Sequence, residues 1–160
     1  MTNYVTRRGL KLLQEQADFI KNVEIKNALE MLSDARDKGD LSENAEYDAA
    51  KELHQNLSSK LSLLNKKIDS CVIITANMIF KDKVSMLSHL EVKNYNTDKI
   101  QKLQLVPENE IDVKSGKISF NSPIGKSLLG KRVGDIVEIN IPAGKMKIEI
   151  LKMENKNEDF

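Results

Sequence analysis

From Gly9 onward the apolar residues Leu10, Leu13, Ala17 and Ile20 fall at steps of three, four and three, which draws one stripe along a helix. Thr6 is a fitting cap for its start. The stripe resumes at Ile25, Ala28, Leu32 and Ala35, but the step from Ile20 to Ile25 is five, so the helix is expected to be irregular or kinked near Val23. Lys38-Gly39 supplies a stop, because glycine takes the left-handed conformation that closes a last turn. Asp40 and Ser42 are both good N-cap types, and a second stripe follows at Ala50, Leu53, Leu57, Leu61, Leu64, Ile68 and Cys71. Two such helices joined by a short turn are antiparallel neighbours, each of roughly 28 to 30 residues and so on the order of 40 to 45 Å long. A two-helix rod buries only one seam. With the small residues Ala45, Ala49 and Ala50 near the turn, its tip is expected to be thin, exposed and polar.

Past Ile74 the pattern changes to short runs of β type: Val84 to Leu90, Ile100 to Val106, Ile118 to Phe120, Ile136 to Ile141 and Met146 to Met153. Pro142, Ala143 and Gly144 turn the chain between the last two, a hairpin signal. Along the final run the apolar phase shifts from Met146, Ile148 and Ile150 to Leu151 and Met153, which predicts a bulge or a loss of pairing. Ser122-Pro123 opens one short helix and Gly130 closes it. The tail from Glu154 to Asp159 is expected to fray. The organisation is therefore α+β: a helical hairpin over residues 1–75 and a sheet domain over 76–160.

Composition narrows the classes. The chain has 160 residues, 40% apolar and 31% charged, a soluble globular balance. No apolar run approaches the roughly 20 residues that cross a bilayer, and the N-terminus lacks a signal peptide's apolar core, so a cytoplasmic protein with no membrane partner is expected. Cys71 is the single cysteine, which excludes an internal disulfide and reads as a small core residue. A net charge of +1 argues against a protein whose main task is coating nucleic acid. Between Glu30 and Glu52 eight acids face three bases, and that segment would repel a phosphate unless a cation came with it. His54 and His89 stand apart from any metal-ligand cluster and are taken as surface or packing residues.

Within that acidic segment Gly39-Asp40-Leu41-Ser42-Glu43-Asn44-Ala45-Glu46-Tyr47, with Arg36 before it and Lys51 after it, resembles the signature of the bacterial Gre transcript cleavage factors. The resemblance continues through residues 118–135 and Pro142-Ala143-Gly144, in the family's order. It implies an N-terminal antiparallel coiled coil and a C-terminal domain like that of FK506-binding proteins, an antiparallel sheet with one short helix. It also implies a partner, bacterial RNA polymerase. In that family the C-terminal domain holds the rim of the secondary channel, while the coiled coil reaches the active centre and stimulates the polymerase's own cleavage of backtracked RNA.

Carried over to this chain, the resemblance makes Asp40 and Glu43 the catalytic acids. Phosphodiester hydrolysis by two metal ions needs carboxylates to fix a second Mg²⁺ and orient a water. Mg²⁺ keeps most of its waters, so two carboxylates alone make a poor site; no metal is expected to bind stably to the free factor, and Mg²⁺ is shared with the polymerase active site. The factor is then no nuclease by itself. A structural alternative stays open, because aspartate followed three residues later by glutamate is a capping-box-like pattern. Arg36 and Lys51 resemble bases that lie beside the tip and hold the nascent RNA 3′ end, or are simply solvated. Tyr47 packs or stacks on a base; Leu41 and Asn44 orient the acids or meet the channel wall; Glu46 and Asp48 read as a solvated face. Asn121, Ser122, Pro123 and Ile124, with Gly125, are either a polymerase contact or a capped helix start.

The sequence departs from the family pattern in having no Arg-Pro pair around Val23-Glu24-Ile25-Lys26 and in Lys81-Asp82 at the first strand of the second domain. The scattered bases of the hairpin favour an A-like over a B-like factor. Competing functions are a secondary-channel regulator or inhibitor that does not stimulate cleavage, a prolyl isomerase, which needs an aromatic-lined pocket, and a plain coiled-coil adaptor.

Overall fold

Thr6 Oγ1 accepts from Gly9 N at 2.9 Å, and helix α1 (Arg7–Phe19) starts there, as its residue type suggested. These details come from a computed structural model that describes residues 2–39 and 44–155. A π turn, Ile20–Glu24, follows α1 directly and runs into α2 (Ile25–Asp37), with Ile25 N donating to Ile20 O. The five-residue step in the apolar stripe is this i→i+5 bond, and it keeps Ile20, Ala28 and Ala35 all buried. Helix α3 (Ala45–Asp69) packs along α2, completing a helical hairpin. Its seam is made of small side chains, Ala28, Ala35 and Ala50, each at most 2% exposed, so the two backbones approach closely and little apolar mass stabilises that end. Leu53, placed on the stripe by its spacing, remains 39% exposed.

The chain divides into two compact units, Met1–Asn3 with Leu10–Val72 and Tyr4–Gly9 with Ile73–Phe160. Residues 4–9, counted with the hairpin by sequence, thus group with the sheet unit: Tyr4 packs edge-on against Phe120 at 6.4 Å, and Ile74 N donates to Val5 O at 2.8 Å. Strands β1 (Asn3–Val5) and β2 (Cys71–Ile73) form a two-stranded sheet that the sequence pattern did not reveal. Cys71 therefore leaves the helical stripe and is half-buried, its Sγ 3.2 Å from Lys67 O. That burial pushes its thiol above the ordinary value, against an opposing pull from Lys67.

In the second unit the strands β3 (His89–Asn94), β4 (Lys99–Val106), β5 (Lys117–Ser119), β6 (Ile136–Ile141) and β7 (Gly144–Glu154) form one sheet in the order β5-β4-β3-β7-β6. The sheet is not wholly antiparallel as expected, because β5 runs parallel to β4. The strand expected at Val84 to Leu90 begins instead at His89. Ser85 N donates to Ser88 Oγ at 2.8 Å and Leu87 sits at φ +69°, so residues 85–88 make a turn before the strand starts. The hairpin between β6 and β7 closes at Ile141 and Gly144, and the register against β3 jumps from Glu91 opposite Lys152 to Val92 opposite Ile150. Leu151 is the extra residue of a bulge, at the phase shift seen in the sequence.

Of the tail expected to fray, Glu154 and Asn155 are held in place, and residues 156–159 lie outside the described residues. Glu154 pairs with His89, and Asn155 donates to Lys83 O at 3.0 Å and to Phe80 O while accepting from Ser88 Oγ. Helix α4 (Pro123–Leu128) covers the core of Ile74, Val84, Leu105, Leu128 and Ile150, all fully buried.

Candidate functional site at the turn of the hairpin

Helix α2 ends at Asp37, where Lys38 N donates to Ala35 O at 3.3 Å. Gly39 follows at φ +146°, positive but far from the left-handed helical value, with nothing among the described residues within 4 Å of a would-be Cβ. Asp40, Leu41, Ser42 and Glu43 lie outside the described residues. The next described residue decides how α3 begins. Asn44, not Asp40 or Ser42, is its N-cap: Asn44 Oδ1 accepts from Tyr47 N at 3.1 Å. The same amide donates through Nδ2 to Ala35 O at 2.6 Å, so one side chain spans the end of α2 and the start of α3.

Charge is distributed with the helix ends. Glu46 and Asp48 stand in the first turn of α3, at its positive pole, and Arg36 in the last turn of α2, at its negative pole. Glu46 and Asp48 are exposed, as on a solvated face; Glu46 Oε2 lies 3.4 Å from Lys38 Nζ, and with both side chains 68% exposed that pair adds little to stability. Arg36 and Lys51 are exposed, and neither has an ion-pair partner among the described residues. Tyr47 is half-buried, one helical turn before Lys51 and so on the same side of α3. Among the described residues no group of three or more His, Cys, Asp or Glu is placed to hold a metal.

The second candidate segment lies at the start of α4. Ser122 Oγ accepts from Gly125 N at 3.1 Å and donates to Ser119 O at 2.6 Å, while Pro123 takes the first turn. Asn121 and Pro123 are exposed, Ser122 is half-buried, and Ile124 packs against the core. Beside Ile124 runs an open groove of about 490 Å³ lined by Leu103, Val113, Ile118, Met146 and Ile148. No aromatic residue appears among its described lining residues.

Two family descriptions match the chain, "Transcription elongation factor, N-terminal" over residues 3–73 and "Transcription elongation factor, GreA/GreB, C-term" over residues 80–155. The chain belongs to the GreA/GreB family of transcription elongation factors. Its curated relatives include the transcription elongation factor GreA of Christiangramia forsetii, 44% identical over 94% of this chain and 96% of that one. The GreA of Flavobacterium johnsoniae is 45% identical over the same shares. Both carry the A-type name that the scattered hairpin bases favoured. Among solved structures, the GreA factor homolog 1 protein of Thermus thermophilus is 23% identical, with 97% of this chain and 100% of that one covered and a TM-score of 0.44, too low to bear on function.

Family membership embraces both described halves of the candidate site: the Gre-type turn motif lies within the N-terminal match and the α4 segment within the C-terminal one. Among the described residues no helix is long and apolar enough to cross a membrane.

Proposed function

We propose that this elongation factor stimulates RNA polymerase to cut its own backtracked transcript, with the hairpin carrying Asp40 and Glu43 through the secondary channel to the active centre. The observation that carries this reading is Asn44 at the N-cap of α3. The structural alternative asked the two acids to cap the second helix, but the Tyr47 N–H is already held by Asn44. A family motif that keeps both acids beside a filled cap leaves them available for chemistry.

Carboxylates are the hard oxygen donors Mg²⁺ takes, and two of them leave most of its coordination shell to other groups, which suits a contribution to a metal site completed by the polymerase. The bound ion would supply charge stabilisation and an activated water. Asp40 and Glu43 would hold and orient those groups. Arg36 and Lys51, exposed and without an ion-pair partner among the described residues, suit contact with the phosphates of the nascent RNA 3′ end. Tyr47, half-buried, supports the start of α3.

The test is a stalled, backtracked elongation complex of bacterial RNA polymerase mixed with the purified factor, following the RNA 3′ end. Rapid 3′ shortening is expected with the factor and none with the factor and free RNA in Mg²⁺. Occupancy of the polymerase without shortening would identify a channel regulator instead.

At α4 the docking contact is expected from the exposed Asn121 and Pro123, with Ser122 holding them in place through its cap. Asn121→Arg should leave thermal stability unchanged and weaken competition for the polymerase by about tenfold, the scale of one lost interface contact. Ser122→Ala should cost about 1 kcal/mol of stability. If Asn121→Arg and Pro123→Ala both compete as the parent does, α4 is not the docking site.

A further inference from the structure

We infer that Asn44 is a positioning residue for the proposed cleavage chemistry, acting as a brace between the end of α2 and the start of α3; this rests on the function proposed above. A helix N-cap needs only an acceptor, and serine, threonine or aspartate would serve as well. Asn44 does more than that. Its Oδ1 accepts from Tyr47 N at 3.1 Å, and its Nδ2 simultaneously donates to Ala35 O at 2.6 Å. Of these residue types only asparagine offers an acceptor and a donor on adjacent atoms of one planar head.

The brace sits where the hairpin has least else to hold it. The nearest buried seam residues are alanines, Ala35 and Ala50, and the neighbouring Lys38–Glu46 pair is exposed to solvent on both sides. The bond to Ala35 O is part-buried and short, and it gives a second donor to a carbonyl in the final turn of α2 that also accepts from Lys38 N at 3.3 Å. The last turn of α2 and the first turn of α3 are thus joined by one side chain. Metal-assisted chemistry is sensitive to placement on the ångström scale, and a base or ligand shifted by about 1 Å can cost on the order of a hundredfold in rate. The division of labour is then that Asp40 and Glu43 reach the reacting centre, whereas Asn44 acts only through the backbone on either side of them.

Two substitutions separate the brace from the cap. Asn44→Ser keeps a good cap oxygen but gives up the reach to Ala35 O. Asn44→Asp keeps the cap and the reach but sets a carboxylate, which has no proton to donate, against that carbonyl. Thermal stability and competition for the polymerase are expected to stay near those of the parent in both.

The first measurement uses the free full-length chain with Cys71→Ser, spin-labelled through Asp34→Cys and Glu52→Cys. Either Asn44 variant should broaden the distance distribution between the labels. The second follows cleavage in the backtracked complex. The maximal rate at saturating factor should fall roughly tenfold to a hundredfold. The Mg²⁺ concentration for half-maximal rate should rise, while the factor concentration for half-maximal effect should not move.

A merely stabilising residue would change the factor concentration needed and leave the Mg²⁺ dependence alone, and that result overturns the inference. So does an unbroadened distribution, or a parent-like maximal rate in both variants. If the parent chain itself gives no cleavage, the proposed function fails, and the positioning role with it; if the parent cleaves and both variants match it, the positioning role fails alone.

Discussion

Combining Asp40→Asn with Glu43→Gln is expected to abolish stimulated cleavage while leaving the fold and polymerase binding intact. If the acids act by charge on a shared Mg²⁺ and its water, neutral amides of nearly the same shape remove that chemistry, a loss of roughly 10² to 10⁴ in rate. Stability should be nearly unaffected. The N–H that a capping role would have to hold belongs to Tyr47 and is taken by Asn44, and the Asn44–Ala35 bond involves neither acid. Substitutions away from such features shift stability by about 0.5 kcal/mol or less. Thermal unfolding, competition for the polymerase and transcript cleavage, measured on the same preparation, separate the possibilities. Full cleavage by the amide pair would sink the catalytic assignment.

The largest stability effect is expected from Gly125→Ala. A Cβ there would stand 2.3 Å from Ser119 O and 2.7 Å from Phe120 Cα, both backbone atoms that no rotamer change can move aside. Helix α4 would have to lift off the strand end, and in doing so it would stretch the bond from Ser122 Oγ to Ser119 O. Overpacking of this kind costs about 1–3 kcal/mol or more, and loss of that hydrogen bond adds about 1 kcal/mol. For a unit of this size that lowers the melting temperature by roughly 10 to 25 °C. Gly130→Ala is the informative comparison, since its Cβ meets nothing within 4 Å and only the φ of +78° resists it, at about 1–2 kcal/mol. Equal melting temperatures for the two variants would show that close packing is not what requires glycine at 125.

The hairpin was legible because its two apolar stripes repeat with helical spacing, and even the π turn announced itself as a five-residue step at Ile20. The bulge at Leu151 was visible for the same reason, as a break in an alternating pattern. What failed was local bonding that leaves no period behind. The turn at residues 85–88 is made by serine hydroxyls inside an apolar run, so Val84 looked like strand when the strand begins at His89. Strand β2 has only three residues and continued the helical stripe by one more plausible position, Cys71. At the tip, three polar residues of good capping type lay within five positions, and composition does not rank them. Asn44 holds the cap and satisfies a second helix with the same side chain, through a bond to Ala35 that no short-range rule contains. The resemblance to the Gre factors pointed to the family that the comparisons show, while the residue that caps α3 needed coordinates.

The π turn also bears on how this long helix tolerates changes of length. In a regular α-helix one residue more or less turns everything beyond it by about 100°, which would swing Ala28 and Ala35 out of their seam. Here the widened loop of backbone from Ile20 to Ile25 has already taken up the irregularity, and Ala17 before it and Ala28 beyond it are both buried. Val23, 40% exposed, lies within it. Removing one residue from 20–24 would convert the widened turn into an ordinary one and leave both flanking stripes in phase. The turn thus acts as an expansion joint, a place in the first arm where the loss of one residue can be absorbed without misaligning its far end.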